Sequence, residues 1–95
     1  MTKEELIKKL HLKEHIVWND ITKQNAHVGW ERTFYKDTYH GYITINTDES
    51  CFVSIFKYQQ DGSDRQILKL VCDNVNTFSE FIDIINKYYV NLYFL

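Results

Sequence analysis

Between Trp30 and Cys72 apolar and polar residues alternate with a period of two, and on both sides the period lengthens toward that of a helix. The first helix opens at Thr2-Lys3-Glu4-Glu5, the Thr-x-x-Glu spacing of a capping box. Leu6, Ile7 and Leu10 make a narrow apolar stripe with Lys8 and Lys9 turned to water, and the helix should end near residues 11–13. Residues 15–18, HIVW, fit either a short strand or a resumed helix, and the polar stretch 19–29 reads as a loop closing at Gly29. The last element starts at Thr77, again three residues before a glutamate. Phe78, Phe81, Ile82, Ile85, Tyr88 and Tyr89 follow at helical spacing as a broad apolar face. The ending VNLYFL alternates again, which leaves a short extra edge strand as one option there.

Three turns divide the alternating stretch: Asp37–Gly41, centred on Tyr39-His40-Gly41, then Asp48–Ser50, then Asp61-Gly62. Asp-Gly suits a two-residue hairpin turn. Such a loop sets Val53 opposite Leu70 and Ile55 opposite Leu68 on one side of the sheet. On the other it pairs Phe52 with Val71, Phe56 with Ile67 and Tyr58 with Arg65. A one-residue slip would turn every side chain over, so the hydrophobic pattern fixes the remaining register. It groups Trp30, Phe34, Ile43 and Ile45 with the first set as a core face. The expected fold is a single α+β domain over residues 1–95: an N-terminal helix, a four-stranded antiparallel meander, and a C-terminal helix packed on one sheet face.

The side opposite that core is unusually apolar. It carries Thr33, Tyr35, Tyr42, Thr44, Phe52, Phe56, Tyr58, Ile67 and Val71, with Glu31, Lys69 and Arg65 as its few charges. A solvated face of an antiparallel sheet is normally polar. Either the N-terminal helix or residues 15–28 fold over this face, or it is a binding patch. The stripe of Leu6, Ile7 and Leu10 is too narrow to hide three strands of aromatics. Tyr35, Tyr42, Phe52, Phe56, Tyr58, Arg65 and Ile67 are therefore the candidate partner-binding residues.

Composition narrows the partner. Hydrophobic residues are 44% and aromatics 16% of the chain, enough for a packed core and against disorder. The formal net charge of −2 disfavours nucleic acid. Residues 1–47 hold seven Lys/Arg and six Asp/Glu, and residues 48–95 four and seven, so the C-terminal half is the acidic one. No apolar run is long enough to cross a bilayer, and MTKEELIKKLHLKEH is too charged for a signal peptide, so no membrane association and a cytoplasmic location are expected. With no proline and three glycines, the richness in Ile, Lys, Asn and Tyr fits AT-rich coding sequence, as in a low-GC bacterium, a phage or a mobile element.

Candidate chemistry is sparse. His11 and His15 are spaced for one helical face, but no third zinc ligand has a recognisable spacing, and no metal or cofactor is expected. Cys51 and Cys72 fall opposite one another in the Asp61-Gly62 register, as two reduced thiols facing the core. Asp37, Tyr39 and His40 share a turn, where Asp more commonly serves backbone hydrogen bonding than acid–base work. No nucleophile, phosphate-loop or metalloprotease motif occurs, and an enzyme is not expected. The leading expectation is a protein-binding domain, such as a phage or mobile-element inhibitor of a host protein like a defence nuclease. The alternatives are a single-strand nucleic-acid binder using the same aromatics, or a homodimer through that patch or residues 90–95.

Overall fold

The computed structural model describes residues 1–94. Helix α1 (Lys3–Lys9) is followed by five strands, β1 (Lys13–Asn19), β2 (Gln24–Lys36), β3 (Tyr39–Asn46), β4 (Cys51–Tyr58) and β5 (Asp64–Cys72), then helix α2 (Val75–Tyr88). The strands form one antiparallel sheet in chain order, β1-β2-β3-β4-β5.

The sheet has five strands, not four, and the added one lies at the N-terminal edge. Residues 13–19 pair with 24–31, so most of the expected 19–29 loop is strand. Asn19 makes the hairpin: its Oδ1 accepts from the Ile21 and Thr22 amides at 2.9 and 3.1 Å, closing an Asx turn. Among the described residues no C-terminal edge strand is formed. Leu92–Phe94 make a 3-10 turn held by Asn86 Oδ1, which accepts from the Leu92 amide at 2.7 Å. Leu95 lies outside the described residues.

Both helices begin at side-chain caps. Thr2 Oγ1 accepts from the Glu5 amide at 3.2 Å, as the capping box requires. In α2 the cap is Asn74, whose Oδ1 accepts from the Thr77 amide at 3.0 Å, so the helix starts earlier than the Thr77 motif implied. Its buried stripe is Val75, Phe78, Ile82 and Ile85. Phe81 and Tyr88 are exposed, which narrows the expected apolar face. α1 stops at Lys9, His11 takes a left-handed φ of 56°, and His15 belongs to β1. The two histidines therefore share no helical face, and no group of three or more His, Cys, Asp or Glu side chains gathers as a metal site among the described residues.

One core forms on one side of the sheet. Phe34, Ile43, Ile45, Cys51, Val53 and Ile55 from the strands join Leu6, Leu10 and Leu12 and the α2 stripe, with Trp30, Leu68 and Leu70 packed against them. α1 belongs to this same side: Arg32, in the inner row opposite Ile43, donates to the Leu10 carbonyl at 3.1 Å, and Lys3 lies over the Trp30 ring. Gly41 is fixed by close approach. A Cβ there would sit 1.9 Å from the Ser54 carbonyl oxygen and 3.0 Å from the Phe34 ring.

The last hairpin holds two opposite irregularities. Its loop has three residues, Gln60-Asp61-Gly62, between Gln59 and Ser63, whose backbones bond at 2.8 Å. Gly62 takes a left-handed φ of 85°, the form that closes a type I turn with a G1 bulge. This moves the pairing by one residue, giving Tyr58–Asp64, Lys57–Arg65 and Phe56–Gln66. A bulge at Ile67 moves it back, so Ile55–Leu68, Val53–Leu70 and Cys51–Cys72 pair as a two-residue loop would have paired them. Cys51 and Cys72 are both free thiols.

Candidate interaction face on the outer side of the sheet

Residues facing away from the helices follow from strand alternation and the observed register. Thr33, Tyr35, His40, Tyr42, Thr44, Phe52, Ser54, Phe56 and Tyr58 share this side, with Asp64, Gln66, Lys69 and Val71 from β5. Five of the seven expected binding residues are here: Tyr35, Tyr42, Phe52, Phe56 and Tyr58. Arg65 and Ile67 are not. The three-residue loop pairs Arg65 with Lys57 on the helix side, and the bulged Ile67 packs against the core. Their places in the outer row are taken by Asp64 and Gln66.

The central residue of the face is one the turn assignment missed. The β2–β3 turn is Asp37-Thr38, with Asp37 at a φ of 55° that Asp tolerates, so Tyr39-His40-Gly41 are strand. His40 sits between Tyr35 on β2 and Phe56 on β4. Its ring stacks on Tyr35 (centroids 5.9 Å, 12° between planes), Phe56 (5.2 Å, 16°) and Tyr58 (4.5 Å, 23°). His40 Nε2 lies 2.8 Å from Asp64 Oδ1. A carboxylate accepts only, so Nε2–H is the donor, and the ring is held upright within the row. The sequence signal was available: His40 continues the alternation of Tyr42 and Thr44.

A second stack, Tyr42 on Phe52 at 5.3 Å, continues the surface, and Lys69 reaches over Phe52 at 6.0 Å. Between the two stacks Ser54 is fully buried, and its Oγ accepts from Gln66 Nε2 at 2.7 Å. Tyr35 is 72% exposed, Val71 67%, Tyr58 46% and Tyr42 43%, so the aromatics meet solvent and no helix spans them. The fixed charges of the face balance: Lys13 and Lys69 against Glu31 and Asp64, with His15 Nδ1 3.3 Å from Glu31 Oε2. Lys57 and Arg65, which a nucleic-acid groove would have used, lie on the other side.

The thiols take no part in this surface. Burial pushes Cys51 up to about 11, and the same cause, with Asp73 nearby, raises Cys72. Both stay protonated and poorly nucleophilic near neutral pH. No helix among the described residues is long and apolar enough to cross a membrane.

Nothing matches. Protein-family models, curated proteins and solved structures were each compared with the chain without a match. The functional reading therefore rests on the geometry of the outer face.

Proposed function

We propose that this chain is a non-catalytic domain that binds another protein through the outer face of its sheet. The observation that carries the reading is the row Tyr35–His40–Phe56–Tyr58: four near-parallel rings, the two end residues 72% and 46% exposed. Stacking on neighbouring strands fixes the rings before any partner arrives, which lowers the entropy lost on association. Tyr-rich patches with few charges have the composition of interface centres.

The balanced charge of the face favours protein over nucleic acid. A single-strand binder adds a cationic track to its stacking rings, and here Lys13 and Lys69 are matched by Glu31 and Asp64. The narrower form of the reading is an inhibitor or accessory protein of a phage or mobile element, acting on a host protein such as a defence nuclease. Its support is the AT-rich composition and the acidic C-terminal half, which would suit a basic surface.

Parallel affinity capture from the source organism tests this. The reading expects a protein retained by the wild type and by Ile84→Ala, but lost with Tyr35→Ala/Tyr58→Ala. Oligonucleotide binding that weakens steeply with salt and disappears in the same double variant would replace it with the single-strand reading.

A further inference from the structure

Cys51 and Cys72 are the first residue of β4 and the last of β5, and they face one another directly across the ladder. Both side chains lie on the helix side: Cys51 is buried in the core, and the half-buried Cys72 packs against it. The chain has no other cysteine, so each thiol has a single intramolecular partner.

Backbone hydrogen bonding sets the spacing of the pair. The Asn46 amide donates to the Ser50 carbonyl at 2.9 Å, so Ser50 turns its backbone groups toward β3, and Cys51, one residue on, turns its own toward β5. Cys51–Cys72 is therefore a hydrogen-bonded pair of the ladder. Cα atoms at such a position stand about 5.5 Å apart, well inside the range of a disulfide. The facing Cβ atoms are also about 5.5 Å apart, roughly 1 Å more than a relaxed bridge spans. The rung has to tighten to close, and β5 has room to shift because it is an edge strand that ends here.

We propose that Cys51 and Cys72 form a reversible intramolecular disulfide that pins the edge strand β5 to β4, with a small-molecule disulfide as the oxidant. The less buried Cys72 attacks first: its thiolate displaces one thiolate from the oxidant and forms a mixed disulfide. Cys51 then gives up the 3.2 Å contact of its thiol to the Glu49 carbonyl, attacks the Cys72 sulfur and expels the second thiolate. Two protein thiols are oxidised and one external disulfide is reduced to two thiols. The two protons leave the cysteines and end on the released thiolates. Burial keeps both cysteines protonated near neutral pH, so this exchange runs on the order of hours rather than seconds.

The tightened rung decides the character of the bond. A strained disulfide is more easily reduced than a relaxed one, so external thiols reopen it and the bridge acts as a switch. What it holds is the strand that supplies Asp64 and Gln66 to the outer face, and the next rung is the outer pair Phe52–Val71. Asn74, the cap of α2, follows closely in the chain. The bridge thus ties the edge strand and the start of the helix to the middle of the sheet, whatever the outer face binds.

Equilibration of the whole chain in mixtures of oxidised and reduced glutathione, in native buffer and in urea, tests the proposal. Intact mass and peptide mapping should show the loss of two hydrogens and a Cys51–Cys72 link. In native buffer the link should form at a ratio about tenfold less oxidising than urea requires, because the folded strands hold the thiols together. The bridged form should melt roughly 5–10 °C higher, and dithiothreitol should reverse the shift. Cys51→Ala should stop at a mixed disulfide on Cys72. Cys72→Ser, a change at a half-buried position, should keep a native circular dichroism spectrum and leave Cys51 unmodified in native buffer. Mixed disulfides alone in the wild type, links only between chains, or a bridge no more favoured in native buffer than in urea would each overturn the proposal.

Discussion

The two faces of the sheet are built from the same kinds of residue and are held by different means. On the helix side, Phe34, Ile43, Val53 and Ile55 are almost fully buried beneath α1 and α2, and their energy comes from exclusion of water. On the outer side, Tyr35, His40, Phe56 and Tyr58 are held by one another, by strand pairing and by the His40–Asp64 contact, while water reaches the ends of the row. Hydrophobicity alone would not separate them. What separates them is that only one face has helices over it, so the inner aromatics maintain the fold and the outer ones are available for contact.

The largest effects should therefore come from the inner face. Phe34→Ala should destabilise the chain by about 3–5 kcal/mol in urea unfolding; a loss below about 1 kcal/mol would mean that the two faces are not distinct. Gly41→Ala, which forces a methyl group against the Ser54 carbonyl, should cost about 1–3 kcal/mol or more. Removing the α2 cap with Asn74→Ala should cost about 1 kcal/mol and shorten the helix at its start, read by amide exchange. Tyr35→Ala on the outer face should change stability by no more than about 0.5 kcal/mol while abolishing partner capture.

Alkaline titration separates the faces by another route. Cys51, in the core, ionises at about 11 in the folded chain against 9.0 in the free residue, because burial penalises the thiolate. Tyr93 is raised to about 12 from 10.0, first by burial and then by Asp83. Between the two values of each group the folded state holds more protons than the unfolded one, so stability is fully present below pH 9 and falls as pH rises through 9–12. Cys51→Ala should flatten the first part of that decline, seen in melting temperature against pH.

The inner row was legible because Trp30 and Phe34, Ile43 and Ile45, and Cys51, Val53 and Ile55 all fall on one side by alternation, with Arg32 as an exception within β2. A register that misplaces such a row is far costlier than any turn preference. The first part of β2 was harder to read. Gln24-Asn25-Ala26-His27 contains no strong strand former, and these residues are strand because β1 pairs with them, which is tertiary context overriding propensity. Arg65 and Ile67 were misplaced because Asp-Gly serves two-residue and three-residue loops alike, and the pattern before and after the tip agrees with both. His40 was read as part of a turn because Gly41 looked like its end; the left-handed residue is Asp37 instead, and Gly41 is there for lack of space.

The paired irregularities of the last hairpin work as an expansion joint. The loop adds one residue and the bulge at Ile67 absorbs it, so the strand order of side chains from Cys51 to Ile55 never feels the length of the tip. The chemistry beyond the joint is consequently free to drift: what Asp64 and Gln66 present beside His40 and Phe56 can be re-cut by changing loop length, while the core stays in step. Deleting Ser63 with the three-residue loop kept would set Arg65 opposite Tyr58 in place of Asp64 and leave no residue for the bulge to absorb, converting a neutral rim into a cationic one with a single edit.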